Sequence, residues 1–257
     1  MFEWLHEVSV WWMIAIIFSA TFAVTAGIFV LVMVLAVGER GRSFKTVSPG
    51  MLPPMGLLFA LLIGFLAAQV WSDTGQAQGA VNHEASELRS VVLLTHAFPG
   101  GTEARMDALV RRQIRGAAEQ EWPAMADHRA TLTVIPVPLA QALQLALVLD
   151  PQNAGQTTAQ REIVTALQGA LDARRQRIIL SESSVNWAKW AGVILLAILT
   201  LVAIALVHSD NRLGAALAMG LFAAAVATSL VLIASQDHPF SGPFAVGPDV
   251  LQQVMPH

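Results

Sequence analysis

The sequence predicts an all-α protein that crosses a membrane four times and carries a helical domain outside the membrane. Of its 257 residues, 55% are hydrophobic and only 13% are charged, whereas soluble domains have about 25% charged residues. Four apolar runs are each long enough to cross a bilayer, which requires about 20 helical residues. Residues 73–186, between the second and third runs, show helical periodicity and no sustained strand-like alternation.

The N-terminal part, residues 1–72, contains the first two predicted spans. The first runs from about Val8 to Val37 without a charged residue, and Trp4, Trp11 and Trp12 lie at its start, where amphipathic rings favour the membrane interface. The second span, Met55–Trp71, is also uncharged and continues directly into polar, helix-compatible sequence. We therefore expect one long helix that joins a membrane layer to an aqueous layer.

Large apolar residues recur on one face of the second span. Leu57, Leu61 and Phe65 are four residues apart, so they share a helix face. Such a stripe either packs against another helix or lines a hydrophobic constriction when several copies surround an axis. The spacing alone leaves both interpretations open.

Residues 73–186 form the predicted extramembrane domain of four helices. The expected helices are Asp73–Ala97, Thr102–Trp122, Pro138–Leu149 and Ala159–Ser181. We expect Thr102 to cap the second of these helices and Pro123 to end it, and Thr157 or Thr158 to open the fourth.

The C-terminal part contains the last two spans, within residues 187–235, and a tail, residues 236–257. The spans are predicted at about Trp190–Val207 and Leu213–Ser235, and the short His208–Arg212 turn makes them antiparallel. The tail is rich in proline and glycine and ends in a short predicted helix, Pro248–Met255.

The first and fourth spans each carry a stripe of small residues, which permits a neighbouring helix to approach closely. The stripes are Ser19, Ala23 and Gly27 in the first span and Ala216, Gly220, Ala224 and Thr228 in the fourth.

The side chains that could act in catalysis or bind a metal do not form a recognisable catalytic or metal site. His83 and Glu87 share a helix face, but Glu84 points about 100° away, so a solvated or subunit-contacting face is favoured over a metal site. No phosphate loop, nucleophile elbow or zinc-protease motif occurs. We therefore predict a protein that is not an enzyme and holds no metal or cofactor. The net charge of −3 gives no reason to expect nucleic acid.

The spans lack charged residues and histidine in their interiors. Proton- or ion-coupled transporters commonly place such groups near the membrane midplane, so a pump or secondary transporter is disfavoured. The remaining interpretations are a pore with an apolar wall and a membrane assembly that conducts nothing. Arg174, Arg175 and Arg177 precede the third span and would raise the local anion concentration at a pore mouth. The alternative for these arginines is a solvated helix end, where cations suit the helix dipole.

Five strings, spread over nearly the whole chain, carry a family resemblance. They are GFLAAQVW at Gly64–Trp71, Glu84-Ala85, Glu121-Trp122-Pro123, Arg174-Arg175-Gln176-Arg177 and DHPFSGPFAV at Asp237–Val246. The chain resembles the bestrophin-like membrane proteins of bacteria and plants, a domain of unknown function that is distantly related to the bestrophin anion channels. The resemblance marks Glu84, Trp122, Pro123, Pro239 and Gly242 as family-motif positions.

True bestrophins are pentameric anion channels with one axial pore. The neck of this pore carries a Gly-Phe pair that is preceded by large apolar residues. This pattern falls on Gly64-Phe65, Leu61 and Leu57. The resemblance thus implies a ring-shaped homo-oligomer, a pentamer, with a neck of Leu57, Leu61 and Phe65 and a hinge at Gly64. It also implies a bacterial inner-membrane protein whose partners are its own copies, the lipid bilayer and inorganic anions such as chloride, with the helical domain in the cytoplasm.

The sequence departs from true bestrophins in two ways. Leucine replaces aromatic residues in the neck, and the tail offers only Asp237 and Asp249 where animal members have an acidic calcium clasp. These departures argue against calcium gating and leave the ion selectivity open. The alternative function is a non-conducting scaffold, or an accessory subunit of a larger membrane complex, that uses the same helices only to assemble.

The charges of the connecting segments leave the orientation in the membrane open. Basic residues of the short loops nearly balance those on the domain side, so the positive-inside rule does not decide between the two orientations. The loop residues are Arg40, Arg42, Lys45 and Arg212, and those of the domain side are Arg89, Arg174, Arg175, Arg177 and Lys189.

Overall fold

The computed structural model describes residues 10–36, 48–98, 100–242 and 244–256. Its helices are α1 (Val10–Leu35), a 3₁₀ helix (Pro49–Met51), α2 (Leu52–Thr95), α3 (Thr102–Gly116), a π-helix (Ala117–Glu121), α4 (Trp122–Ala126), α5 (Val137–Leu147), α6 (Ala154–Ser181), α7 (Trp187–Val207), α8 (Arg212–Ala234) and α9 (Asp249–Gln253). The described residues contain no strand, which confirms the all-α prediction. Trp4, Val8, Val37, Arg40, Arg42 and Lys45, which the sequence analysis used, lie outside the described residues.

Within the described residues, four helices are long and apolar enough to cross a membrane, namely α1, α2, α7 and α8. The last two begin one to three residues earlier than predicted because asparagine side chains cap them. The Asn186 Oδ1 accepts the Ala188 N–H at 2.9 Å, and the Asn211 Oδ1 accepts the Gly214 N–H at 3.0 Å. These bonds satisfy backbone donors that a helix N-terminus otherwise leaves without a partner.

Helix α2 has 44 residues, so its length is about 66 Å at 1.5 Å per residue. This exceeds the roughly 30 Å thickness of a bilayer core. The prediction of one uninterrupted helix from the second span into polar sequence is confirmed.

The chain divides into two compact units, the first consisting of Met1–Trp71 and Ser184–Asp237. In this unit α1 packs against α7 and α8. Buried residues of its larger core include Met13, Phe59, Leu66, Trp190 and Ile233.

The small-residue stripe of α1 is exposed, and that of α8 is partly exposed. At Gly27 and Gly220, no atom lies within 4 Å of the place where a Cβ would stand. Helix α8 instead buries Ala215, Ala223 and Ala227. The role of both stripes in assembly stays a prediction.

The second unit consists of Ser72–Ser183 and His238–His257. Its core includes Leu88 of α2, Ile114 of α3 and Ile163 of α6, together with Phe240 and Leu251 of the tail. The C-terminal tail therefore supplies core residues to the helical unit. Its helix α9 is shorter than the predicted Pro248–Met255.

Three predictions about helix ends in this unit are wrong. Helix α3 begins at Thr102 as predicted, but Gly101, with φ of 83°, occupies its N-cap position, so Thr102 is the first helical residue and not the cap. Helix α6 begins at Ala154 because the Asn153 Oδ1 accepts the Gln156 N–H at 2.9 Å, which leaves no capping role for Thr157. The third end, at Pro123, is described next.

Pro123 does not end the second helix of this unit. The chain passes from α3 through the π-helix into α4, and Pro123 lies in the first turn of α4. Proline is common in the first turn of a helix, because its fixed φ suits helical geometry. A π-helix is rare and is often found at functional sites.

Candidate functional site

The three predicted neck residues lie on an exposed face of α2. Leu57, Leu61 and Phe65 are 68%, 53% and 67% exposed, although all three are large and apolar. The opposite face of α2 is buried in the core of the first unit, through residues such as Phe59 and Leu66. The fold of the single chain thus leaves this apolar stripe uncovered.

Gly64, the predicted hinge, lies beside the stripe. Helix α2 continues through this glycine without a break, and no atom lies within 4 Å of the place where its Cβ would stand. The site is open, and a hinge at this position remains a prediction.

A buried ion network occupies the core of the second unit. Arg177 of α6 is 0% exposed and Arg174 is 5% exposed. The Arg177 Nε donates to the Glu84 Oε2 at 2.9 Å, and the Arg177 Nη2 donates to the Glu121 Oε2 at 2.8 Å. The Arg174 Nε donates to the Glu121 Oε1 at 2.7 Å. Two cations therefore balance two carboxylates, which is the condition under which buried charges are tolerated.

The positions of these residues follow from their helices. Arg174 and Arg177 are three residues apart on α6 and so share a face. Glu84 lies on the buried face of α2, and Glu121 is the last residue of the π-helix. Three separate helical segments thus meet at the two guanidinium groups.

Trp122 connects this network to the C-terminal tail. The Arg177 guanidinium carbon lies 4.3 Å from the centre of the Trp122 ring, within cation–π range. The Trp122 indole Nε1 donates to the Val246 carbonyl at 2.8 Å. The Phe240 ring meets the Trp122 ring edge to face, with centroids 6.1 Å apart. The network and the tail are therefore parts of one packed cluster.

The tail forms a tight turn around the other family-motif positions. The Val246 N–H donates to the Pro239 carbonyl at 2.8 Å. Gly242 has φ of 88°, a conformation that side chains with a Cβ rarely adopt. Pro239 and Gly242 thus shape the segment that receives Trp122.

The ion pairs favour the charged forms of Glu121 and Arg177. Burial alone would raise the pKa of Glu121, but the guanidinium groups of Arg177 and Arg174 lower it below its ordinary value. Burial alone would lower the pKa of Arg177, but the carboxylates of Glu84 and Glu121 raise it. For Glu121 and Arg177, opposite charges at hydrogen-bonding distance therefore outweigh the cost of burial. At Glu84 the balance is reversed, because complete burial raises the pKa of its carboxyl group although Arg177 acts to lower it.

The three arginines that the sequence analysis grouped do not form one solvated cluster. Arg175 is exposed and pairs with Asp172 at 2.9 Å. The expectation that Arg174 and Arg177 lie in solvent and attract anions is wrong, because both are buried and neutralised by carboxylates. The sequence analysis also missed Glu121 as an ionic partner. The three-residue spacing of Arg174 and Arg177 indicates a shared helix face, but it reveals neither their burial nor Glu121.

The sequence analysis favoured a solvated or subunit-contacting helix face around His83, and this interpretation holds only in part. His83 and Glu87 lie 3.7 Å apart on a partly exposed face, whereas Glu84 is turned into the core. No three histidine, cysteine or carboxylate side chains of the described segments are grouped so that they could hold a metal ion.

Comparisons with known proteins bear on this geometry. The family model of the Bestrophin-like domain matches residues 19–251, and no curated protein matches the sequence. One crystal structure of a bacterial bestrophin homologue from Klebsiella pneumoniae, a point variant, aligns with a TM-score of 0.71 and 11% identity, covering 94% of this chain and 97% of that chain. A second, solved by zinc phasing, gives 0.67 and 10%, covering 91% and 95%. At these identities the structural likeness concerns the fold.

Proposed function

The chain belongs to the bestrophin-like family, and from this premise we propose that it forms a ring-shaped homo-oligomer that conducts anions through an axial pore. We further propose that the ring is a pentamer and that Leu57, Leu61 and Phe65 of every subunit line its neck. The observation that carries this proposal is the exposure of all three large apolar side chains on one face of α2. In a ring, such a face can surround the axis.

An apolar neck acts on ions through dehydration. Its wall offers a passing ion no replacement for the water that the ion loses. A large anion such as chloride loses its hydration at a lower cost than a small cation does, so an apolar constriction favours anions. Two of the candidate spans carry a charged residue close to their start, Lys189 in α7 and Arg212 in α8. The charged residues of α2 lie in its polar second half. The proposed neck therefore needs no charged group within the membrane.

The buried network anchors the second half of α2 within the helical unit. Both carboxylate oxygens of Glu84, which lies on this part of α2, bond to Arg177.

The proposed setting is the bacterial inner membrane, with the helical unit in the cytoplasm. The bestrophin relationship supports this orientation. Inorganic anions, chloride among them, are the proposed permeant ions.

Anion flux through liposomes tests the proposal. Leu61→Ala is expected to raise the flux, because a smaller wall residue widens the neck and lowers the dehydration barrier. Each reduction of about 1.4 kcal/mol gives roughly a tenfold higher rate. Leu217→Ala is the matched control, because Leu217 is also an exposed leucine of a membrane helix but lies on α8.

Two results would count against the pore. Equal flux in the Leu61→Ala protein, the Leu217→Ala protein and the parent would remove Leu61 from the neck. No flux in any of them, together with a loss of stability of about 2–5 kcal/mol in Leu61→Ala, would indicate a leucine buried between helices. That second result would favour the non-conducting scaffold.

A further inference from the structure

The helical unit contains an uncharged stretch that the proposed pore does not use. Residues 130–149, which include α5 and the segment leading into it, contain no aspartate, glutamate, lysine, arginine or histidine. Nine large apolar side chains are exposed in the described part of the helical unit, and six of them lie in this stretch. The six are between 49% and 76% exposed. We call them the uncharged surface: Leu132, Val134, Ile135, Val137, Leu147 and Val148.

The uncharged surface is left open because α5 buries only one of its faces. Helix α5 packs against α3 and α6, and it turns Leu139, Ala142 and Ala146 into the core. On its outer side, Gln141 and Gln144 are exposed between the two ends of the helix. A helix face in contact with water normally carries charged residues. The outer face of α5 carries none.

The size and composition of this surface are those of a protein–protein contact. Its six apolar side chains expose roughly 600 Å², most of the about 800 Å² that each partner contributes to a standard interface. Depletion of charged residues is the compositional sign of the centre of an interface. Exposed apolar surface of this extent indicates a contact with another protein or with a membrane.

Helix α6 shows how far this surface lies from the second span, because it runs antiparallel to the polar half of α2. Near the end of α6 the Arg177 Nε donates to the Glu84 Oε2 at 2.9 Å, and near its start the Gln156 Nε2 donates to the Ala97 carbonyl at 2.8 Å. Glu84 lies twelve residues beyond Ser72, where the polar half begins, and so about 18 Å along the helix. Ala97 lies further along still.

Both ends of the uncharged surface are attached to this distant part of α6. The Arg174 Nη2 donates to the Val134 carbonyl at 3.3 Å, and the Gln160 Nε2 donates to the Ala146 carbonyl at 2.9 Å. Arg174 and Gln160 both precede Arg177 and therefore lie beyond the level of Glu84. The headgroup region extends only about 5–8 Å from the hydrocarbon core. Lipid is therefore excluded as the partner of this surface.

We propose that the uncharged surface contacts a neighbouring copy of the same chain. Interfaces between permanently associated copies are more apolar than transient ones, and another copy is the partner that every chain has at hand. This inference rests on the homo-oligomer proposed above and assigns a surface of the helical unit to its subunit contact. It does not depend on ion conduction.

Photochemical crosslinking identifies what covers the surface. The absence of cysteine allows a benzophenone maleimide to be attached at one site, in an Ile135→Cys protein reconstituted in lipid nanodiscs. Irradiation should give a covalent product of about twice the 27.5 kDa chain mass. The same reagent in a Leu93→Cys protein is the control and should give no such product, because Leu93 is a lone exposed leucine on α2 and single exposed apolar residues need no partner.

A charge placed in the surface tests its contribution to assembly. Leu147→Asp should raise the dissociation constant of the oligomer at least about a hundredfold, because the contact would bury an unpaired carboxylate. Leu93→Asp is the matched control. The two leucines are 61% and 60% exposed, and both lie near the C-terminal end of a helix. The control should leave the dissociation constant unchanged.

The proposal is overturned if the Ile135→Cys protein crosslinks only to lipid or to nothing, or if Leu147→Asp and Leu93→Asp dissociate alike. When the parent protein is oligomeric, these results remove the uncharged surface from the contact and leave the ring assembly standing. A parent protein that is monomeric in nanodiscs contradicts the ring assembly itself, and this contact with it.

Discussion

Replacement of Arg177 by methionine should strongly destabilise the helical unit. The Arg177 guanidinium donates to Glu84 at 2.9 and 3.3 Å and to Glu121 at 2.8 Å. Methionine fills part of the space but leaves Glu84, which is fully buried, without its cation. Glu121 retains its 2.7 Å bond to Arg174. The main cost is therefore one uncompensated carboxylate in the core.

The expected loss is about 3–5 kcal/mol of unfolding free energy, as found when one partner of a buried ion pair is removed. The double variant Arg177→Met with Glu84→Met removes both charges. Replacing a complete buried pair by apolar residues is often neutral or stabilising. The double variant should therefore be more stable than the Arg177→Met protein and regain most of the lost free energy.

The assay is thermal unfolding of the full-length protein at fixed protein and detergent concentration. For a chain of this size, 1 kcal/mol corresponds to about 2–4 °C, so Arg177→Met should lower Tm by about 6–20 °C. Arg175→Met is the matched control, because Arg175 is exposed and pairs only with exposed Asp172. Exposed pairs of this kind contribute about 0.5 kcal/mol or less, and the control should change Tm by about 2 °C at most.

The reasoning would be refuted by either of two results. Arg177→Met and Arg175→Met could lower Tm equally, which would show that the buried guanidinium has no special role. Alternatively, the double variant could be less stable than the Arg177→Met protein. The second result would show that Glu84 is not left with an uncompensated charge when Arg177 is removed.

Three further predictions concern assembly, pH and orientation. Gly220→Leu should lower the yield of oligomer in native mass spectrometry, because it places a large side chain in the small-residue stripe of α8. An unchanged oligomer would exclude that stripe from assembly. Ion pairing lowers the pKa of Glu121 below its ordinary value of 4.5. The free energy that the charged Glu121 side chain contributes to folding is therefore fully present above pH 4.5, and it is lost as the pH falls through the lowered pKa. Acid unfolding should therefore become shallower in Glu121→Gln, and an identical profile would contradict this. The chain has no cysteine, so Gln152→Cys provides a single site for labelling. A membrane-impermeant maleimide should not label this cysteine in intact cells, because the helical unit is proposed to be cytoplasmic. Labelling would show that the helical unit lies outside the cytoplasm.

The fold could largely be predicted from the sequence because its main signal is local. Long uncharged runs predict α1, α2, α7 and α8 by length and composition alone. The helix ends were less predictable, since Asn153 and Thr157 both lie near the start of α6 and only backbone geometry selects the cap. Nothing in the sequence around Ala117–Glu121 distinguishes a π-helix from an α-helix.

Only the part of the candidate site that depends on a regular sequence interval could be predicted. Leu57, Leu61 and Phe65 are recognised by their four-residue interval, which any helix places on one face. The Arg177–Glu84 pair joins positions 93 residues apart, and no local pattern links them. Arginine is usually exposed, so burial of Arg177 could be inferred only from a partner that the sequence does not reveal.

The most direct test of the central claim is an experimental structure of the assembled protein in lipid, giving the number of subunits and the pore radius along the axis. The account predicts five subunits, with Leu57, Leu61 and Phe65 of every subunit converging on the axis at the narrowest point of a continuous passage. A ring in which these side chains pack against other helices or lipid, with no opening on the axis, would contradict it.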